Sequence, residues 1–412
     1  MFLAPRRLGA RFVALVRADP AGVRAGFVAL LISSGGDLIA GITLGSITGT
    51  LDRLPGLLVL VPAAIGMRGN VFGALGSRLG TKIHAGTFRL SARVGTDVGQ
   101  NIAASMVASL STAALLAVLA KVFSEAMGVG RSISVADFMV VSVVGAVLSS
   151  AVVLVLTVGV AAFCARRDLD LDNVAAPIVT AAGDFVTLPS LFLATYLLDI
   201  PVFTPVVAVA CVALAVGATV AGLAAGGLPT MRRILVESLP VLALAGTVDI
   251  LAGMTIERRV DAFLAFPALL VLVPPFLEDS GALGSILAAR VSTRLHLGTL
   301  GEGRPRFRAA AEDVMLVFVY AVPVFLVLGV SSSLAAHLLG LASPGAWNML
   351  GVSLIAGFGA TAAAVVVGFY AAVGTYRFGL DPDNHGIPVV TSTLDLVGAL
   401  SLILAIVILG LT

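Results

Sequence analysis

Charge is what this sequence has least of. Asp, Glu, Lys and Arg make up only 12% of its 412 residues, where a soluble globular chain carries about a quarter. With 59% hydrophobic residues and a mean hydropathy of +1.09, that shortage excludes a soluble domain of ordinary composition. Cysteine is almost absent. Cys164 and Cys211 both sit inside apolar runs, with neither disulfide, redox nor metal-ligand spacing. There is no Walker motif, nucleophile elbow or HExxH, so neither an ATPase nor a soluble type of enzyme is expected. The net charge of +2 points to no polyanionic partner, and no nucleic acid is expected. The N-terminus does not read as a cleavable signal: Arg6, Arg7, Arg11 and Arg17 precede an apolar stretch too long for that role.

Long apolar runs are abundant. A membrane-spanning helix needs about 20 mostly apolar residues. Eleven segments qualify, near 22–50, 56–78, 99–123, 135–164, 174–198, 202–226, 234–256, 263–290, 311–340, 346–375 and 385–411. Turns containing Pro, Gly or charge separate them. The basic residues give an orientation. Placing the N-terminus in the cytoplasm leaves only Arg53, Lys121, Arg131, Arg258 and Arg259 outside and Arg68 at membrane depth. Every other Lys and Arg then falls on the inside, as the positive-inside rule requires. Eleven spans put the C-terminus outside. The expected location is a plasma (cell inner) membrane, in contact with lipid.

The chain repeats itself. Leu57-Leu-Val-Leu-Val-Pro62 recurs as Leu269-Leu-Val-Leu-Val-Pro274, and Arg78-Leu-Gly-Thr-Lys-Ile-His84 as Arg290-Val-Ser-Thr-Arg-Leu-His296. Asp37 falls on Asp249. Near the ends of the copies, Asp170-Leu-Asp-Asn173 matches Asp381-Pro-Asp-Asn384, and Pro177, Thr180 and Asp184 match Pro388, Thr391 and Asp395. The expected fold is therefore an all-α polytopic membrane protein of about 11 helices. A basic segment (1–21) precedes a first five-helix repeat (22–200), a linking transmembrane helix (201–228) and a second repeat (229–412). Five spans per copy would invert the second copy; the linking helix restores it, giving parallel repeats about a pseudo-two-fold axis along the membrane normal. One chain can then imitate a homodimer, so a functional monomer is expected.

Ionisable residues at membrane depth are expensive and normally face a bundle interior or an aqueous path. Asn173, Pro177, Thr180 and Asp184 share one helix face, and Asn384, Pro388, Thr391 and Asp395 repeat the stripe. At 1.5 Å per residue the two aspartates lie roughly 15 Å deep, near the midplane. Like charges there repel unless a cation stands between them or one is protonated. Asp184 and Asp395 are expected to face each other across the axis and together hold a largely hydrated divalent cation. Asp37 and Asp249, flanked by small residues, are further candidates for metal binding. Asn70, Thr180, Thr391, Asn173, Asn384, Glu278 and Asp279 are candidate pore lining. The second helices differ: one copy reads Gly66-Met-Arg-Gly-Asn70 and the other Leu277-Glu-Asp-Ser-Gly281. Arg68 pairs with Glu278 or Asp279 across the axis, or those two add charge to a cation site; the residues leave both open. Carboxylate, amide and hydroxyl oxygens without thiolate or imidazole suit hard cations such as Mg²⁺, Ca²⁺ or Mn²⁺.

The stretch from Pro62 through Gly69-Asn70 into Ser77-Arg-Leu-Gly-Thr81, its partner Ala289-Arg-Val-Ser-Thr-Arg-Leu-His296 and the Asp–Pro–Thr–Asp pattern closing each copy resemble the MgtE magnesium-transporter superfamily. The likeness is to its duplicated solute-carrier branch, which fuses two membrane domains without CBS domains. It covers about residues 20–412. It implies a divalent cation transporter or channel, with Mg²⁺ bound by the fifth-helix aspartates, Asp184 and Asp395, in a pore between the two domains. The second-helix Gly-Asn matches Gly69-Asn70 but is Gly281-Ala282 in the second copy. The alternative is a proton- or sodium-coupled carrier of a small organic solute that uses the same aspartates for the coupling ion.

Overall fold

The computed structural model describes residues 20–129, 132–167, 171–300, 307–381 and 385–411, with the side chains of 21 and 171–178 left aside. Among them there is helix and no strand. The first copy runs through α1 (Pro20–Ser46), the short α2 (Thr48–Arg53), α3 (Leu57–His84), α4 (Asp97–Ala126), α5 (Val135–Arg167) and α6 (Leu171–Thr195). The linking helix is α7 (Phe203–Ala224). The second copy repeats the order as α8 (Pro229–Glu257), α9 (Val260–Ala265), α10 (Pro267–His296), α11 (Ala311–Leu338), α12 (Ala346–Phe378) and α13 (Ile387–Ile408).

Among the described residues, 10 helices are long and apolar enough to cross a membrane. The remaining long helix, α6, has 25 residues, of which Val179–Thr195 is described as apolar. The chain is an all-α polytopic membrane protein. Its outward faces carry large apolar side chains such as Val155, Val209 and Phe358, while its polar residues cluster inside. This is the arrangement expected when hydrocarbon is the solvent.

Local chemistry sets the helix ends. Thr96 accepts a hydrogen bond from the Gly99 N–H at 3.1 Å and caps α4. Ser134 and Asp137 form a reciprocal cap on α5: the Ser134 N–H donates to Asp137 at 3.0 Å, and the Asp137 N–H donates to the Ser134 hydroxyl at 3.1 Å. The Arg78–His84 and Arg290–His296 motifs, which lie beyond the span ends expected near 78 and 290, are the last turns of α3 and α10. The physical reason is that Leu79 and Leu295 keep an apolar stripe buried there, while the basic residues suit the negative end of the helix dipole.

The copies are joined by exchange of their first helices. α1 packs on α10 of the other copy, and α8 packs on α3. Each first helix also contacts the third helix of the other copy and the fifth of its own. The contacts are reciprocal, as a two-fold relation requires. At the crossings the backbones nearly touch. A Cβ on Gly41 would lie 2.0 Å from the Val271 carbonyl oxygen, and one on Gly253 would lie 2.3 Å from that of Val59. The linking helix lies against α4, α5 and α8 and turns Val206, Val209, Val216 and Val220 outward.

Because the obstructing atoms are backbone, neither crossing can yield locally. Gly41→Ala and Gly253→Ala should each cost about 1–3 kcal/mol of overpacking strain, read as a lowered unfolding temperature in detergent. Gly217→Ala on α7, where nothing lies within 4 Å, should be neutral. Equal stability of all three variants would refute the exchanged packing.

Candidate functional site

The repeated second helices meet at the junction of the copies. Val61, Pro62 and Ile65 of α3 and their equivalents Val273, Pro274 and Leu277 of α10 line one narrow cleft of about 250 Å³, joined by Glu278 and Asp395. A cleft lined by equivalent residues from both copies lies on the relation between them. Proline inside both helices at this place removes a backbone hydrogen bond, and such interruptions are tolerated at depth where backbone is buried or lines a cavity.

Beside the cleft stand four aspartates in two pairs. Small residues bring α1 against α6: a Cβ on Gly36 would sit 2.7 Å from that of Ala181. This approach sets Asp37 next to Asp184. In the second copy Asp249 stands next to Asp395. Gly66 of α3 gives this pair its room, since a Cβ there would meet Asp249 Oδ2 at 3.2 Å and Asp395 Oδ2 at 3.5 Å. Asp37, Asp184 and Asp249 are fully buried, and Asp395 keeps 5% exposure toward the cleft. Neither carboxylate oxygen of Asp37, Asp184 or Asp249 has a hydrogen-bond partner. The Ser392 hydroxyl lies near Asp249 without bonding to it. Asp184 and Asp395 are within electrostatic reach of one another, but each has its own copy's first-helix aspartate as immediate neighbour.

The two halves of the site differ. Glu278 occupies the place equivalent to Gly66 and lies within electrostatic reach of all four aspartates. Asp279 is taken up by a contact between copies: the Ser34 hydroxyl of α1 lies 2.8 and 2.9 Å from its two oxygens. Arg68 pairs with neither acid, so the pairing considered from sequence is corrected. Its guanidinium turns into the first copy, donating to Ser109, to Ser150 at 2.6 Å and to the Ala146 carbonyl at 3.5 Å. Ser109 and Ser150, one turn-facing serine on each of α4 and α5, supply a neutral polar cradle that the sequence did not advertise.

Of the remaining candidates, Asn70 is buried and at the edge of hydrogen-bond range of the Thr391 hydroxyl, 3.5 Å away. Thr180 is half-buried on α6. The side chain of Asn173 and all of Asn384 lie outside the described residues. Toward the basic end of the bundle, Arg78 donates to Asn101 at 2.9 Å. Its equivalent Arg290 donates at 2.8 Å to Asp313, which also receives Arg294 at 2.6 Å. Aligning the repeats would have found this contact, since Asn101 and Asp313 occupy the same position. Among the described residues, no group of three or more His, Cys, Asp or Glu is close enough to chelate a metal directly. The arrangement presents acidic oxygen without thiolate or imidazole, in a low-dielectric interior, and with no Lys or Arg paired to it among the described residues.

The family model for MgtE, described as a divalent cation transporter, matches residues 61–194 and 273–405. Each matched region runs from the second helix to the fifth of one copy. No solved structure matches the chain.

The Ser34–Asp279 contact generates a direct test. Ser34→Ala leaves a buried carboxylate without its donor, which costs about 1–3 kcal/mol, measurable by thermal unfolding in detergent. Ser111→Ala, whose hydroxyl bonds within α4 and to Thr219 of α7, serves as a control outside the junction and should cost less. An unchanged unfolding temperature for Ser34→Ala would show that this contact does not tie the copies together.

Proposed function

The chain belongs to the MgtE family of divalent cation transporters, and from that premise we propose that it carries Mg²⁺ along a path between its two repeats. The supporting observation is the two buried aspartate couples, Asp37 with Asp184 and Asp249 with Asp395, in which Asp37, Asp184 and Asp249 have no hydrogen-bond partner, beside a cleft lined by both copies. A buried carboxylate with no basic partner is costly to ionise, and a cation arriving between the couples removes that cost. Oxygen-only chemistry favours a hard divalent ion, and Mg²⁺ gives up its water reluctantly. With no direct chelating cluster among the described residues, Asp184 and Asp395 act on the ion through its retained waters, and Asp37 and Asp249 set the charge behind them. Asn70 and Thr391 extend the path toward the basic end, and Thr180 does so in the first copy. Glu278 adds negative charge at the cleft.

On this reading the basic ends of α3 and α10 face the cytoplasm, by the positive-inside rule. The N-terminus is inside and the C-terminus outside a plasma (cell inner) membrane, with the pseudo-axis along its normal. Residues 22–200 and 229–412 are the two repeats, and 201–228 is the link that makes them parallel. Both halves of the path come from one chain, so the monomer is the working unit.

The test is divalent flux into proteoliposomes, read with Mg²⁺ and Mn²⁺, for wild type, Asp184→Asn and Asp395→Asn. Each substitution keeps size and removes one charge, so each should lower flux at least tenfold while the protein stays folded and inserted. Coulomb terms grow as the effective dielectric falls, which makes one charge a large part of the binding. Wild-type flux in both variants would place the path elsewhere. Flux of an organic solute driven by a Na⁺ or proton gradient, with no divalent flux, would overturn the reading in favour of a coupled carrier.

A further inference from the structure

The two copies offer equivalent positions for a second cleft, between the basic ends of the helices and the aspartates, and among the described residues the first copy has it. In the first copy Asn70, Ala74, Arg78, Ser105, Ala108, Ser238, Leu242 and Pro388 lie around a small cleft between α3, α4, α8 and α13. Its inner end is Asn70, beside Thr391. One turn further along α13 stands Asp395, which borders the axial cleft. The two spaces thus abut the same face of α13, with Pro388, Thr391 and Asp395 as successive steps.

The second copy closes the equivalent place. Ala108 is replaced by Tyr320, whose hydroxyl donates to the Val23 carbonyl at 2.7 Å and whose ring packs on Phe27 at 6.0 Å. Tyr320 keeps only 4% exposure. The substitutions around it run in one direction: Ser105 becomes Val317, Ser238 becomes Gly26 and Asn70 becomes Ala282. Three polar lining residues are lost and Tyr320 and Val317 add bulk, so the change is spread over four equivalent positions and is not confined to one residue. Arg78, the cation among the described residues that line the first-copy cleft, is held aside by Asn101 at 2.9 Å and Ser105 at 3.2 Å. Glu237 and Asp381 lie within electrostatic reach of it, so the mouth is not a barrier of positive charge.

We infer that water and the permeating cation pass between the basic face and Asp395 through only one of the two equivalent clefts, that of the first copy, and that Tyr320 seals the other. The inference rests on the proposed transport function and adds to it a one-sided vestibule in a two-fold scaffold.

Cysteine accessibility separates the two clefts. In full-length protein with Cys164 and Cys211 replaced by Ala, and shown to keep its flux, single cysteines are placed at Ser105 and Leu242 and at their equivalents Val317 and Leu30. A positively charged methanethiosulfonate is applied from the basic side of proteoliposomes, and its addition is read by mass. Ser105→Cys and Leu242→Cys should react at least tenfold faster than Val317→Cys and Leu30→Cys. Adding Tyr320→Ala should raise the rate at Val317→Cys toward that of its partner. Equal rates in the two copies with Tyr320 intact, or no reaction at the first-copy positions, would overturn the inference. If the labelling contrast holds but wild type carries no divalent cation, it is the transport reading that fails.

Discussion

Carboxylates buried without a basic partner are the constraint on which the rest of the molecule depends. A soluble protein hydrates such groups or pairs them with Lys or Arg. Here Asp37, Asp184 and Asp249 have no hydrogen-bond partner, and the nearest fixed cation at that depth, Arg68, is turned away into serines. Packing cannot compensate a charge of this kind, because apolar neighbours raise its cost. On the proposed reading the transported ion supplies the counter-charge, so the lack of a fixed basic partner makes the interior attractive to a divalent cation. The exchanged first helices and the glycines at their crossings hold those acids in place without offering them a counter-charge.

Duplication explains how the charges come in pairs, and divergence explains why the pairs are unequal. Gly66 gives one couple its room, while Glu278, in the equivalent place of the other copy, sets a fifth carboxylate within reach of both couples. A homodimer could not make that choice, since both subunits would carry the same residue. Fusing the copies frees each to change alone. Ala108 against Tyr320 and Asn101 against Asp313 are further results of that freedom.

Much of this was legible in the residues because a membrane leaves few alternatives. Spans follow from length and apolarity. The motif around Leu57–Pro62 and its recurrence at Leu269–Pro274 exposed the two copies, and the same register placed Asp184 and Asp395 at one depth. Partner choice was not legible. Asp37 beside Asp184, or Ser34 on Asp279, depends on which helix crosses which, and apolar helices of similar length carry little information about their neighbours. Arg68 illustrates the difficulty. Its two serines are ordinary small residues on α4 and α5, and only the folded bundle distinguishes them from the many others.

The exchange of first helices also has a consequence for how the chain is made. α1 leaves the ribosome early, but its principal partner α10 begins at Pro267. At about 5–20 residues per second, the interval is on the order of ten to forty seconds. During that time Asp37 lies in a hydrophobic segment whose final neighbours across the junction do not exist. α6, with Asp184, arrives sooner and lies against α1 within the same copy. The nascent first half therefore waits with one face of α1 provisionally covered, by lipid or by the insertion machinery, until the second half is synthesised and takes its place there.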